Sequence, residues 1–186
     1  MNPTRGPKTL IQLKPANHPP CWVPPITIIQ DTREQLPYTF VGFTRIAGTI
    51  VQTLQTGDYA IAGAENLFRV ERKRPEELFH NLSNKRVDHR SRFLREMERL
   101  SVFPHKYLVI EGTPEQIQRA GTYSGYHPSA VLGSLDAIAT KFHIAIVYTD
   151  SREASEERVA NLAAMAYAYH YATQMGFGAC LQDGDL

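Results

Sequence analysis

Cysteine is scarce: Cys21 and Cys180 are the only two in 186 residues, with no CxxC pair and no zinc-type spacing. A disulfide framework is therefore not expected, and a reducing, cytoplasmic setting is. No apolar run approaches the roughly 18 residues that a membrane-spanning helix needs, and no N-terminal segment has the pattern of a signal peptide. The seven histidines form no HxH or HxxxH pair, which argues against a zinc site. Neither glycine-rich stretch has the P-loop pattern, so no nucleotide cofactor is expected. There is no internal repeat.

What is present supports one folded domain. Apolar residues make up 42% of the chain, enough for a core. Residues 1–25 hold seven of the twelve prolines, which fix φ and remove amide donors, so this stretch is expected to be a flexible leader. The domain is expected to occupy residues 26–186. A net charge of +1 hides an uneven distribution. Residues 69–99 carry ten of the twenty Lys and Arg against six acids, whereas Glu111 onward carries nine acids against four basic residues. The basic segment fits either a polyanion footprint or a salt-bridged helix surface.

Patterning gives an element order. "ITIIQD" (Ile26–Asp31), "GTIVQTLQ", "DYAIAG" and "LFRVERK" read as strands. Pro75, followed by Glu76 and Glu77, suits a helix start. A second helix, "HRSRFLREMERLSVF", is expected with Asp88 as its cap and Phe93, Met97 and Leu100 as its core stripe. "KYLVIEG" reads as a buried strand. A helix within "HPSAVLGSLDAIATKF", the strand "IAIVYTD" and a long Ala-rich helix from about Arg152 to Met175 complete the chain. The order predicts an α/β fold with a mixed central β-sheet flanked by helices.

The chemistry-bearing residues sit early. Asp31, Glu34, Asp58 and Glu71 fall at strand ends or turns, and Lys73 lies two residues beyond Glu71 on the same strand face. Hard divalent cations take oxygen ligands and keep several waters, so a few carboxylates suffice to hold one. Asp58 and Glu71, with a backbone carbonyl near Arg72, meet that need. Lys73 is placed to orient a water or stabilise charge on a phosphate. A single E-x-K triplet is common on surface strands, so this pattern alone leaves a solvated charged face open. Arg92, Arg95 and Arg99 share a helix face that suits DNA phosphates or pairing with Glu96 and Glu98. Lys85 and Arg86 suit a DNA-contacting loop or a solvated one. Tyr123 and Tyr126, in a stretch with loop chemistry, suit base stacking or packing against a helix.

Several motifs in order narrow these options. "DTRE" (Asp31–Glu34), "GDY" (Gly57–Tyr59), "VERKRPEEL" (Val70–Leu78), "RFLREMERL" (Arg92–Leu100), "YLVIEG" and "AVLGSLDAIATKFHIAIVYTDSREAS" together resemble the nuclease domain of the XPF-type structure-selective endonuclease family. The resemblance implies a restriction-endonuclease-like fold and Mg²⁺- or Mn²⁺-dependent cleavage of branched, flap or fork DNA, in repair or recombination. By position it implies a catalytic set of Asp31, Arg33, Glu34, Asp58, Glu71, Arg72, Lys73 and Glu77. Asp58, Glu71 and Glu34 would be the metal ligands, and Arg92, Arg95, Arg99, Lys85 and Arg86 the DNA contacts.

Two departures accompany the resemblance. The family pattern E-R-K-x-x-x-D ends here in Glu77, whose extra methylene is tolerable in a helix-ordering role and less so in a direct metal ligand. Many relatives also carry a tandem helix-hairpin-helix module, whereas only about ten residues follow the long helix. DNA affinity is then expected from the nuclease domain, a second copy or a partner. Relatives dimerise through this domain, so a homodimer or heterodimer is expected. The alternative is a non-catalytic DNA-binding or partner subunit, but such chains typically lose the acids or lysine that this one retains.

Overall fold

In a computed structural model, residues 10–14, 18–82, 87–124 and 127–177 are described. The chain runs through strands β1 (Gln12–Leu13), β2 (Cys21–Trp22), β3 (Ile26–Gln30), β4 (Ile46–Val51), β5 (Tyr59–Ile61) and β6 (Phe68–Lys73). Helices α1 (Pro75–Leu82) and α2 (Val87–Leu100), strand β7 (His105–Ile110), and helices α3 (Pro114–Ser124) and α4 (Pro128–Phe142) follow. Strand β8 (Ala145–Tyr148) and helix α5 (Arg152–Gln174) close the order.

Six strands form one sheet in the order β4-β3-β5-β6-β7-β8. The β3–β4, β6–β7 and β7–β8 pairs are parallel, and β3–β5 and β5–β6 are antiparallel, so the sheet is mixed as expected. Side-chain alternation sends residues to two cores. Ile28, Tyr59, Phe68, Val70 and Val109 pack under α5, whose Val159, Ala160, Ala163 and Ala166 allow close approach to the sheet. On the opposite face Leu108 and Ile110 meet Leu78 and Phe79 of α1, Phe93, Met97 and Leu100 of α2, and Val131 and Leu135 of α4. Phe93, Met97 and Leu100 are all buried, as their i, i+4, i+7 spacing requires.

Three local expectations change. The stretch Gly121–Ser124, read as loop, is the last turn of α3. Pro114 at its first position and Glu115 in its first turn favour a helix whose start the glycine-rich end obscured. Helix α2 begins at Val87, so Asp88 lies inside its first turn, and it ends at Leu100 before "SVF". Part of the proline-rich leader is docked. β1 and β2 pair antiparallel, Val23 N–H donates to the Ile11 carbonyl at 2.8 Å, and Leu13 and Val23 bury against Ala168 and Ala172 of α5. These two apolar side chains and the alanine face they cover outweigh the proline bias around them. One flank of α5 is thus covered by the chain's own N-terminal residues.

Candidate active site

The site is built where β3, β5 and β6 converge. Phe68 and Val70 of β6 are buried under α5, and the intervening Arg69, Glu71 and Lys73 face the opposite layer. Gly57 brings the next acid to this strand. Its φ is +77°, and a Cβ there would lie 2.7 Å from Arg69 Cγ and 2.9 Å from the Val70 carbonyl oxygen. Only glycine fits so close a turn at that φ. Asp58 is then pinned by its backbone: its N–H donates to the Val70 carbonyl at 2.7 Å, and its carbonyl accepts from Asp31 N–H at 2.9 Å. Its Oδ2 accepts the Arg72 backbone N–H at 2.7 Å.

The charges around Asp58 are coupled. Lys73 Nζ pairs with Glu71 Oε1 and lies 3.8 Å from Glu96 Oε2 on α2. Burial pushes the Asp58 carboxyl up to about 6, although Lys73 and the Arg72 N–H pull the other way. Glu71 is 2% exposed, and burial followed by repulsion from Asp58 holds it well above the ordinary carboxylate range. Burial also works against the Lys73 cation, but Glu71, Glu96 and Asp58 outweigh it and raise its pKa. The surrounding carboxylates thus favour the ammonium form of Lys73, a form suited to stabilising negative charge rather than to taking up a proton.

The first motif is organised around two arginines. Asp31 Oδ1 accepts from Arg33 backbone N–H and Nε at 2.8 and 2.7 Å, and Oδ2 from Arg33 Nη2 at 3.0 Å and Leu54 N–H at 2.6 Å. Both Asp31 oxygens are thus used within the loop. Burial opposes its anion, yet these bonds hold its pKa below the ordinary value. Glu34 lines the same cleft as Asp58 and repels its carboxylate, while it pairs with Arg72 Nη2 at 3.0 Å and accepts from Leu36 N–H at 2.9 Å. Arg72 reaches away from Lys73 into the α5 layer, where Nη1 meets Glu111 Oε1 at 2.9 Å. Glu111 also accepts the Tyr38 hydroxyl at 2.8 Å, and the Tyr38 ring lies 5.3 Å from the Arg72 guanidinium carbon and 5.0 Å from that of Arg152. Arg72 is an internal strut, while its backbone N–H serves Asp58.

Glu77 marks the start of α1. Its Oε2 accepts Arg74 backbone N–H at 2.9 Å and Nε at 3.2 Å, half of a capping box closed from the third helical position. Its longer side chain suits this reach. Among the expected DNA contacts, Arg92 is brought into a cleft beside Lys73. Arg95 and Arg99 are exposed elsewhere on α2. Lys85, Arg86, Tyr126 and Cys180 lie outside the described residues, as does the end of the chain.

Sequence reasoning missed Glu96, Glu111 and Tyr38. Glu96 was grouped with surface pairing partners, although it sits three residues from core Phe93 and beside core Met97, on the margin facing β6. Glu111 directly follows an apolar strand, the same signal that singled out Asp31. Tyr38 carried no local signal.

Arg33, Glu34, Asp58, Arg72, Lys73, Arg74 and Glu77 are among the residues that line a cleft of about 280 Å³. Among the described residues, no three His, Cys, Asp or Glu side chains converge as a preformed metal cluster. No helix among them is long and apolar enough to cross a membrane.

Residues 30–162 match the ERCC4 domain family. Two solved structures are similar. XPF from Aeropyrum pernix has 19% identity and a TM-score of 0.55, covering 75% of this chain and 61% of that one. XPF from the same organism in complex with DNA has 17% identity and a TM-score of 0.57, covering 77% of this chain and 66% of that one. The chain thus spans about 61 to 66% of the length of these structures. Their likeness shows that the mixed sheet and its helices form a restriction-endonuclease-like fold. No curated protein matches the chain.

Proposed function

The chain belongs to the ERCC4 domain family, and from that premise we propose that it is a Mg²⁺- or Mn²⁺-dependent endonuclease hydrolysing phosphodiester bonds in branched, flap or fork DNA. The observation that carries this reading is a pair of carboxylates beside the Lys73 ammonium: Asp58, which with Lys73 lines a polar cleft, and the buried Glu71, which pairs with Lys73. Two carboxylates forced together at the cost of raised pKa values form a place that a cation would relieve.

The donor set fits a hard divalent ion. Asp58 and Glu71 would hold it through oxygen, and the small number of protein ligands matches the preference of Mg²⁺ for keeping several waters. Bound there, the ion supplies a Lewis acid for a phosphoryl oxygen and a water of lowered pKa. This chain's own groups do the rest. Lys73, restrained by Glu71 and Glu96, stabilises charge at the reacting phosphate. Arg33 and Arg74 border the cleft and suit phosphate contact, while Asp31 and Arg72 keep the first motif and Asp58 in place. Arg92 extends the basic rim without reading bases.

The testing experiment is cleavage mapping by the purified protein on end-labelled flap, fork, nicked and linear duplexes with Mg²⁺ or Mn²⁺. Metal-dependent incision near the branch point is expected. Binding of branched DNA without incision under either metal would instead support a non-catalytic subunit.

A further inference from the structure

A second cleft lies between α1 and α2, has a volume of about 410 Å³, and shares Lys73 and Glu77 with the cleft around Asp58. The two clefts adjoin at Lys73 and Glu77. A DNA strand with a phosphate at Lys73 has this second cleft within reach of a neighbouring nucleotide. We propose that it is a pocket for a single unpaired nucleotide beside the scissile phosphate, with the base held against the imidazoles of His80 and His89. This rests on the nuclease reading above.

Lining chemistry favours a base over the alternatives. His80 on α1 and His89 on α2, nine positions apart in the sequence, meet edge to face with ring centroids 4.4 Å apart and planes at 81°. Set nearly at right angles, the two rings form an aromatic corner in which a base can stack on one imidazole and meet the other edge-on, whatever its identity. Asn81 adds an amide with both donors and an acceptor for a base edge. Glu76, Glu77 and Glu96 outnumber Lys73 and Arg92 in the lining, which disfavours a phosphate inside the pocket and leaves it at the cationic rim.

A volume of about 410 Å³ suits one small ligand such as a single base with its sugar. A base inside a duplex reaches such a pocket only by leaving its stack, whereas one at a flap or fork junction is already unpaired. Part of the selectivity for branched DNA would then come from this pocket, without any sequence reading.

The test uses the full chain and a flap DNA carrying 2-aminopurine, a fluorescent base, at successive positions around the junction. Binding is followed in EDTA, where no cleavage occurs, and cleavage is then measured with Mn²⁺. One position is expected to change fluorescence on binding, and His80→Ala and His89→Ala should each abolish that change. An abasic residue at the same position should weaken single-turnover half-saturation about fivefold or more for the wild type and leave His80→Ala unaffected. Matched thermal melts show that the variants fold; His80 is exposed. The proposal is overturned if no position responds, if the response survives both substitutions, or if His80→Ala stays as sensitive to the abasic residue as the wild type. A histidine-dependent signal without cleavage would sink the nuclease reading and leave the pocket standing. Cleavage without the signal would do the reverse.

Discussion

Replacing Arg72 with methionine removes the guanidinium that bridges Glu34 and Glu111 while keeping a long unbranched side chain. Arg72 contacts both at 3.0 and 2.9 Å, with side-chain exposures of 6% for the arginine and 8% for each glutamate. Burial disfavours the Arg72 cation, but those two carboxylates outweigh it and raise its pKa. Removing one member of a buried ion pair typically costs about 3–5 kcal/mol, because the remaining charge is left desolvated. Here the loss is moderated: Glu111 keeps the Tyr38 hydroxyl and an Arg152 contact at 3.6 Å, and Glu34 keeps Leu36 N–H. The lower half, about 3–4 kcal/mol, is the expected cost. At about 2–4 °C per kcal/mol for a chain of this size, Tm should fall by about 6–16 °C. Arg72→Lys, with charge but no fork, should recover only part of this. The triple variant Arg72→Met, Glu34→Gln, Glu111→Gln should recover most of it. Calorimetry on the metal-free protein is the assay. A Tm for Arg72→Met within about 2 °C of the wild type would refute the strut, since it corresponds to less than about 1 kcal/mol.

The remaining predictions concern the site itself. Asp58 and Glu71 have folded pKa values raised above their unfolded ones, so between those values the folded protein binds more protons and stability falls as pH rises; for Asp58 that loss runs through about pH 6, and Glu71 contributes in the same direction. Asp58→Asn should therefore raise the metal-free Tm at pH 7.5 and flatten its pH dependence between 5 and 7.5; a Tm below that of the wild type at pH 7.5 would contradict the charge account. Gly57→Ala should destabilise by at least about 2 kcal/mol, from the φ of +77° and the clash with the Val70 carbonyl, read by urea denaturation. Glu96→Ala should lower kcat about tenfold, or about 1.4 kcal/mol, with KM little changed, and Glu96→Gln should restore part of it, as expected for a residue that positions Lys73. An unchanged kcat would show that Glu71 alone restrains the lysine.

Much of this architecture is written locally. Apolar alternation in Phe68–Lys73 and the β-branched run Ile26–Gln30 declare strands, and the i, i+4, i+7 stripe of Phe93, Met97 and Leu100 declares the buried face of α2. The same alternation that buried Phe68 and Val70 correctly placed Glu71 and Lys73 together. It could not say which partner an acid chooses. Asp31 and Glu34 stand in one motif with similar local chemistry, yet Asp31 folds back on Arg33 while Glu34 reaches Arg72, 38 residues away. Glu111 and Tyr38 enter the network through a bond spanning 73 residues, and Glu96 through the packing of α2 on β6. Such pairings are set by tertiary approach, which leaves no periodicity to read. The docking of Leu13 and Val23 on α5 was hidden for the same reason, beneath a proline content that argued for an extended chain.

The central claim is that Asp58 and Glu71 form a cation-holding pair that drives hydrolysis. The single-turnover cleavage rate of Glu71→Gln on flap DNA with Mn²⁺ tests it most directly, because the amide keeps the shape and relieves the repulsion with Asp58. The account predicts a protein at least as stable as the wild type, binding DNA, and cutting no faster than background. Cleavage above a tenth of the wild-type rate would contradict it.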